Sequence, residues 1–121
     1  MSYNIMSVLL VTCMFPNETL ARKVAEEVVE TGLAACCQVG APVRSFYRWR
    51  WDVEQADEVP LTCKTTEAAW PGVAALLKAR HPYDLPEIIA VPITHGLPAY
   101  LEWVRENSAF PEADDCDANS G

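Results

Sequence analysis

Thiols and imidazoles are the side chains of this sequence best able to do chemistry: Cys13, Cys36, Cys37, Cys63 and Cys116, with His81 and His95. Thiolates favour Cu(I) and Zn(II), and copper accepts imidazole readily. Five cysteines is an odd count, there is no CxxC, and two of them are adjacent. This usage suits free thiols in a reducing, cytoplasmic compartment better than a secreted disulfide framework. Adjacent strand residues point to opposite faces, so Cys36 and Cys37 cannot easily share one ion. Cys63 falls on the apolar side of its segment and reads as core, while Cys116 lies in an acidic tail beside Asp115 and Asp117. Cys13 has the competing reading of a small buried hydrophobe, as most free cysteines are. His81 stands between Arg80 and Pro82 at an expected helix end, where an imidazole either ligates a metal or caps the last carbonyls. His95 has the same two readings.

Other chemistries are excluded more directly. The sequence has no HExxH, no Gly-rich phosphate loop and no nucleophile set beside a base. The expectation is a protein that is not an enzyme, unless residues assemble across several copies. Nine Lys+Arg against 17 Asp+Glu give a net charge of −8 with no basic run, so no nucleic acid partner is expected. Glu112, Asp114, Asp115 and Asp117 of the tail carry half of that charge. No stretch reaches the ~20 apolar residues of a membrane helix, so no membrane partner is expected either. With 121 residues, 50% of them hydrophobic, one domain can bury a core without metal or disulfide staples.

The elements that must position these groups follow from periodicity. Residues 7–13, SVLLVTC, predict a strand buried on both faces and ended by the turn-prone Phe15-Pro16-Asn17. Leu20, Val24 and Val28 recur at helical spacing, which predicts a helix over 18–31 with Asn17 as its N-cap and Gly32 beyond its end. Residues 33–39 are apolar, Gly40-Ala41-Pro42 interrupts, and 43–53 alternate as a strand. Val59, Leu61 and Cys63 mark its hairpin partner, which Pro60 should confine to an edge or a bulge. Residues 33–51 at ~3.3 Å each would span about 60 Å, against a domain diameter of ~35 Å. The hairpin must bend, protrude or pair elsewhere. Tyr47, Trp49 and Trp51 at period two, interleaved with Arg48 and Arg50, fit a subunit interface better than a stacking platform in so acidic a chain. A helix over Pro71–Arg80, a strand over 86–93 and a short helix from Pro98 to near Glu106 complete the pattern. The order βαββαβ plus a C-terminal helix predicts an α+β, ferredoxin-like sandwich: an antiparallel sheet with two helices on one face. Residues 1–107 form this single domain, and 108–121 are expected to be disordered.

Taken together, VLLVTC, GLAACC at 32–37, SFYRW at 45–49, KTTE at 64–67, HPYDLPEIIAVPI at 81–93 and PAYLEWV at 98–104 resemble the CutA family over residues 7–106. The resemblance implies a ferredoxin-like subunit in a tight homotrimer whose long hairpin reaches across a neighbour, similar in architecture to the PII signalling proteins. It implies a role in divalent-cation tolerance and the response to metal ions, with copper or another divalent cation as ligand. Cys13 matches a family cysteine proposed as a soft ligand, and His81 and Cys36 are the further metal candidates. Lys64, Tyr83, Asp84, Glu87 and Trp103 lie inside the matching segments, either lining a cleft between subunits or serving trimer structure alone. A second reading is a PII-like signalling module that binds a small anionic ligand in that cleft through Lys64. Two departures stand out: Arg50-Trp51-Asp52 replaces the family's Gly-containing turn, and Cys37 follows Cys36.

Overall fold

Eight elements make up the computed structural model, which describes residues 6–108: β1 (Val8–Phe15), α1 (Glu18–Glu30), β2 (Cys36–Val39), β3 (Val43–Trp49), β4 (Asp52–Thr66), α2 (Trp70–Arg80), β5 (Ile88–Pro92) and α3 (Pro98–Glu106). The acidic tail from residue 109 onward lies outside the described residues. Ser108, expected to open a disordered tail, is instead buried, its hydroxyl donating to the Val104 carbonyl at 2.8 Å.

β4 organises the sheet. Its second half pairs antiparallel with β1 on one side and β2 on the other, and its first half pairs with β3 alone. β5 closes the far side of β1, giving the order β2-β4-β1-β5, with β3 continuing beyond β2. The residues over-long for a compact sheet therefore form a hairpin arm that extends past β1.

Pro60 pairs with Met14 of β1, but on its other side the β2 ladder ends at Leu61 and the β3 ladder begins at Glu58, so three residues, 40–42, stand opposite two and Pro60 sits at the expected kind of break. Its carbonyl accepts from the Gly40 amide at 2.9 Å, and the N and O of one strand residue point the same way. The N–H that proline lacks thus falls opposite Gly40-Ala41-Pro42, where the ladder is already broken. Phe15, read as part of a turn, is the last residue of β1 and is fully buried. The run of three apolar positions ending there, Cys13 to Phe15, explains why the strand continues.

Alternation sends Val11, Cys13 and Phe15 of β1 and Val59, Leu61 and Cys63 of β4 into one core with Val24 and Val28 of α1 and Val73 and Leu77 of α2. Asn17 caps α1, its side-chain oxygen accepting from the Leu20 amide at 2.9 Å. Arg80 clamps Glu27 through two bonds of 2.8 and 2.6 Å, joining α2 to α1 and holding the Glu27 carboxyl below the usual carboxylate range. α3 packs on the opposite face of the sheet, where the Tyr100 hydroxyl reaches Cys36 and Val104 is fully buried.

Trp51 was expected to continue the alternating strand, and it does not. β3 ends at Trp49, and Arg50 and Trp51 turn the hairpin with φ of 50° and 80°. A two-residue turn with both centres left-handed matches the twist of the flanking strands, but normally recruits Asn or Gly. Bulky L-residues pay a steric penalty there. Trp51 is 91% exposed, so little packing offsets that penalty within the subunit. Trp51→Gly is expected to raise stability by about 0.5–1 kcal/mol, after allowing for the greater freedom of glycine in the unfolded chain. A urea midpoint checks it, and a lower midpoint would refute it.

Candidate functional site

Where the hairpin arm leaves the sheet, the connector between α2 and β5 lies against it. Tyr47 and Trp49 of β3, Glu58 of β4, and Tyr83, Asp84 and Glu87 of the connector line an open groove of about 660 Å³. Three of the five cleft candidates, Tyr83, Asp84 and Glu87, thus come together, joined by two of the three hairpin aromatics. The groove has carboxylates and aromatic faces and no lysine or arginine among its lining residues. Such a surface repels anions and favours cations, which gain from carboxylate charge and ring faces alike. The Tyr83 hydroxyl is held above its ordinary pKa by burial first, then by Glu58 and Tyr47.

His81 positions the connector. Its Nε2 lies 2.6 Å from the Met14 carbonyl, and its Nδ1 accepts from the Tyr83 amide at 3.2 Å. These partners assign the proton to Nε2, which donates to Met14. The ring stacks on Phe15 at 4.6 Å and meets the Tyr83 ring at 4.7 Å. Both nitrogens are engaged, so His81 ties the groove to β1 and has no lone pair turned toward a metal.

The other metal candidates lie elsewhere. Cys13 is fully buried, opposite Leu61 on one side and Ile88 on the other. Burial first, then Glu87 and Glu58, pushes its thiol up to about 12, which keeps it protonated at neutral pH. Cys36 sits on the opposite sheet face, 3.9 Å from the Tyr100 hydroxyl. Cys13, His81 and Cys36 therefore do not converge, and among the described residues no three His, Cys, Asp or Glu side chains gather to hold an ion.

Lys64 and Trp103 also stand apart from the groove. Lys64 bonds Gln38 and faces Cys36 across the β2–β4 ladder, six positions along β4 from Glu58, or about 20 Å. Trp103 stacks on Tyr100 at 5.6 Å on α3. Glu58 was missed by sequence reasoning, although continuing the period of β4 back from Val59 would have placed it on the face opposite the core. Phe15 was missed because no local pattern links it to a histidine 66 positions away.

An antiparallel sheet with α1 and α2 on one face, α3 on the other and a hairpin arm flanking an acidic, aromatic groove defines a small α+β domain. The chain belongs to the CutA family, since the family model CutA1 divalent ion tolerance protein matches residues 9–107. It is 44% identical over 93 residues to the divalent-cation tolerance protein CutA of Thermus thermophilus, covering 77% of this chain and 90% of that protein. Mouse protein CutA is 38% identical over 100 residues, 83% of this chain, and the match spans only 55% of the mouse protein's length. The crystal structure of CutA1 from Shewanella sp. SIB1 superposes with a TM-score of 0.82 at 38% identity, covering 84% of this chain and 95% of that one.

Proposed function

We propose that this chain serves divalent-cation tolerance as one subunit of a homotrimer of ferredoxin-like units. The ferredoxin-like reading draws support from the order β2-β4-β1-β5, taken with β2 and β3 as one interrupted strand. Exposed apolar surface is the observation that carries the assembly. Phe46 and Val53 of the arm are each 65% exposed, and Ile89 and Val91 of the open sheet face are 52% and 50% exposed. Large apolar side chains left this exposed support an interaction surface. The number three follows the resemblance to CutA proteins.

Copper enters this reading as cargo, with ligands drawn from more than one copy and from residues other than the fully buried Cys13. The described cysteines are free thiols, which supports a reducing, cytoplasmic setting. No described helix is long and apolar enough to cross a membrane. The PII-like alternative would seat an anion beside Lys64, away from the carboxylates of the groove.

Light scattering on the reduced protein, followed by copper titration against a competing chelator, tests the proposal. The expected results are a three-chain mass and copper affinity unchanged by Cys13→Ser. A one-chain mass at micromolar concentration, or tight binding that Cys13→Ser abolishes, would overturn it. Ligand-induced stabilisation by a small anion, lost in Lys64→Ala, would favour the alternative.

A further inference from the structure

One contact in the sheet is unrelated to the groove. Cys37 of β2 and Cys63 of β4 are direct register partners, and their sulfurs lie 3.0 Å apart. The Gly40 amide bonds the Pro60 carbonyl, so pairs 40/60, 38/62 and 36/64 are the hydrogen-bonded ones. Cys37/Cys63 is therefore a non-hydrogen-bonded pair, the class in which opposed Cα atoms approach to about 4.5 Å. A disulfide spans Cα separations of about 4.4–6.8 Å, so the backbone need not move to close one here. No other described pair is so placed. Cys36 points to the opposite face, and Cys13 is opposite Leu61, hence diagonal to Cys63.

We propose that Cys37 and Cys63 are a thiol-oxidation site that closes a reversible cross-strand disulfide when it meets a small disulfide such as glutathione disulfide. Cys63 is fully buried, whereas Cys37 is only partly buried, so the oxidant reaches Cys37. The hydrogen bond from Cys63 lowers the Cys37 pKa, and Lys64 lowers it further against the opposing effect of burial. The same bond, with burial, raises Cys63. The pair thus has an attacking and a resolving sulfur.

Cys37, as thiolate, attacks one glutathione sulfur. The glutathione S–S bond breaks, and the first glutathione leaves with the electron pair and takes up the proton that Cys37 released. Cys63 then attacks the Cys37 sulfur, expels the second glutathione and gives it its proton. Two protein thiols are oxidised and one glutathione disulfide is reduced to two glutathione thiols. The new bond staples β2, only four residues long, to β4 at the root of the hairpin arm.

The test is to incubate the reduced full chain with glutathione disulfide in the absence of air, alkylate the remaining thiols, and map peptides without reduction. The expected product is a single Cys37–Cys63 link, about 2 Da lighter than the dithiol and reversed by dithiothreitol. Cys13→Ser and Cys36→Ser should retain the link, and Cys37→Ser should lose it. Cys63→Ala, which keeps the core apolar, should trap glutathione on Cys37. Peptide mapping of the unmutated chain decides the matter even where a variant folds poorly. Full alkylation of both cysteines, glutathione stalled on unmutated Cys37, or a link through another cysteine pair would each overturn the proposal.

Discussion

Phe15→Ala is expected to remove about 3–5 kcal/mol of stability, a large fraction of the about 5–15 kcal/mol that a domain possesses. The side chain is fully buried at the end of β1, so truncation leaves a cavity lined by the core. It also removes the ring against which His81 stacks, and His81 holds both the Met14 carbonyl and the Tyr83 amide. The damage therefore reaches the groove connector. His81→Ala should cost about 2–3 kcal/mol, from one lost hydrogen bond, an unsatisfied buried carbonyl and lost packing. The double variant should lose about 0.5–1.5 kcal/mol less than the sum of the two, which is the coupling of the stacked pair. Urea titrations at fixed protein concentration measure all three, since association would otherwise shift the midpoints. A cost below about 1 kcal/mol for Phe15→Ala would mean that the site collapses without a cavity, against the packing described.

The second large effect concerns assembly. Ile89→Lys with Val91→Lys should leave the isolated subunit nearly as stable as before, because both side chains are half-exposed. β5 is an edge strand, where lysine is well tolerated. In register, Ile89 faces Thr12 and Val91 faces Leu10, on the sheet face turned away from α1 and α2. If that face packs against neighbouring subunits, each lysine becomes a buried charge without a partner, costing about 3–5 kcal/mol. The expected result is dissociation to single chains at micromolar concentration, with the circular dichroism of the fold retained. An unchanged multi-chain mass would remove this face from the interface, leaving the hairpin arm to carry assembly alone.

Elements, caps and likeness to CutA proteins were legible because they depend on neighbours in the chain. Leu20, Val24 and Val28 share a helix face whatever the rest of the molecule does, and Asn17 caps its own helix. The split of the long strand at Gly40-Ala41-Pro42 was visible for the same reason. The tip was legible only in part: the resemblance put a turn at Arg50-Trp51-Asp52 while alternation carried Trp51 onward as strand, and the hairpin's register decided for the turn. Candidate residues were found by type and separated by tertiary structure. Tyr83, Asp84 and Glu87 reached one groove because they share a connector, while Lys64 lies six positions along β4 from Glu58 on the same face and Trp103 sits on α3. Cys13, His81 and Cys36 parted because strand faces and a buried stack placed them.

By itself, then, the sequence determined which segments become strands and helices and which family the chain resembles. Tertiary structure alone decided that Cys37 meets Cys63, that His81 closes onto Met14 and Phe15, and that a hairpin and a connector enclose an acidic groove. The physical reason is range. Periodicity and capping are settled within a few residues, whereas register is chosen by the long-range strand pairing that buries the most apolar surface while satisfying the backbone.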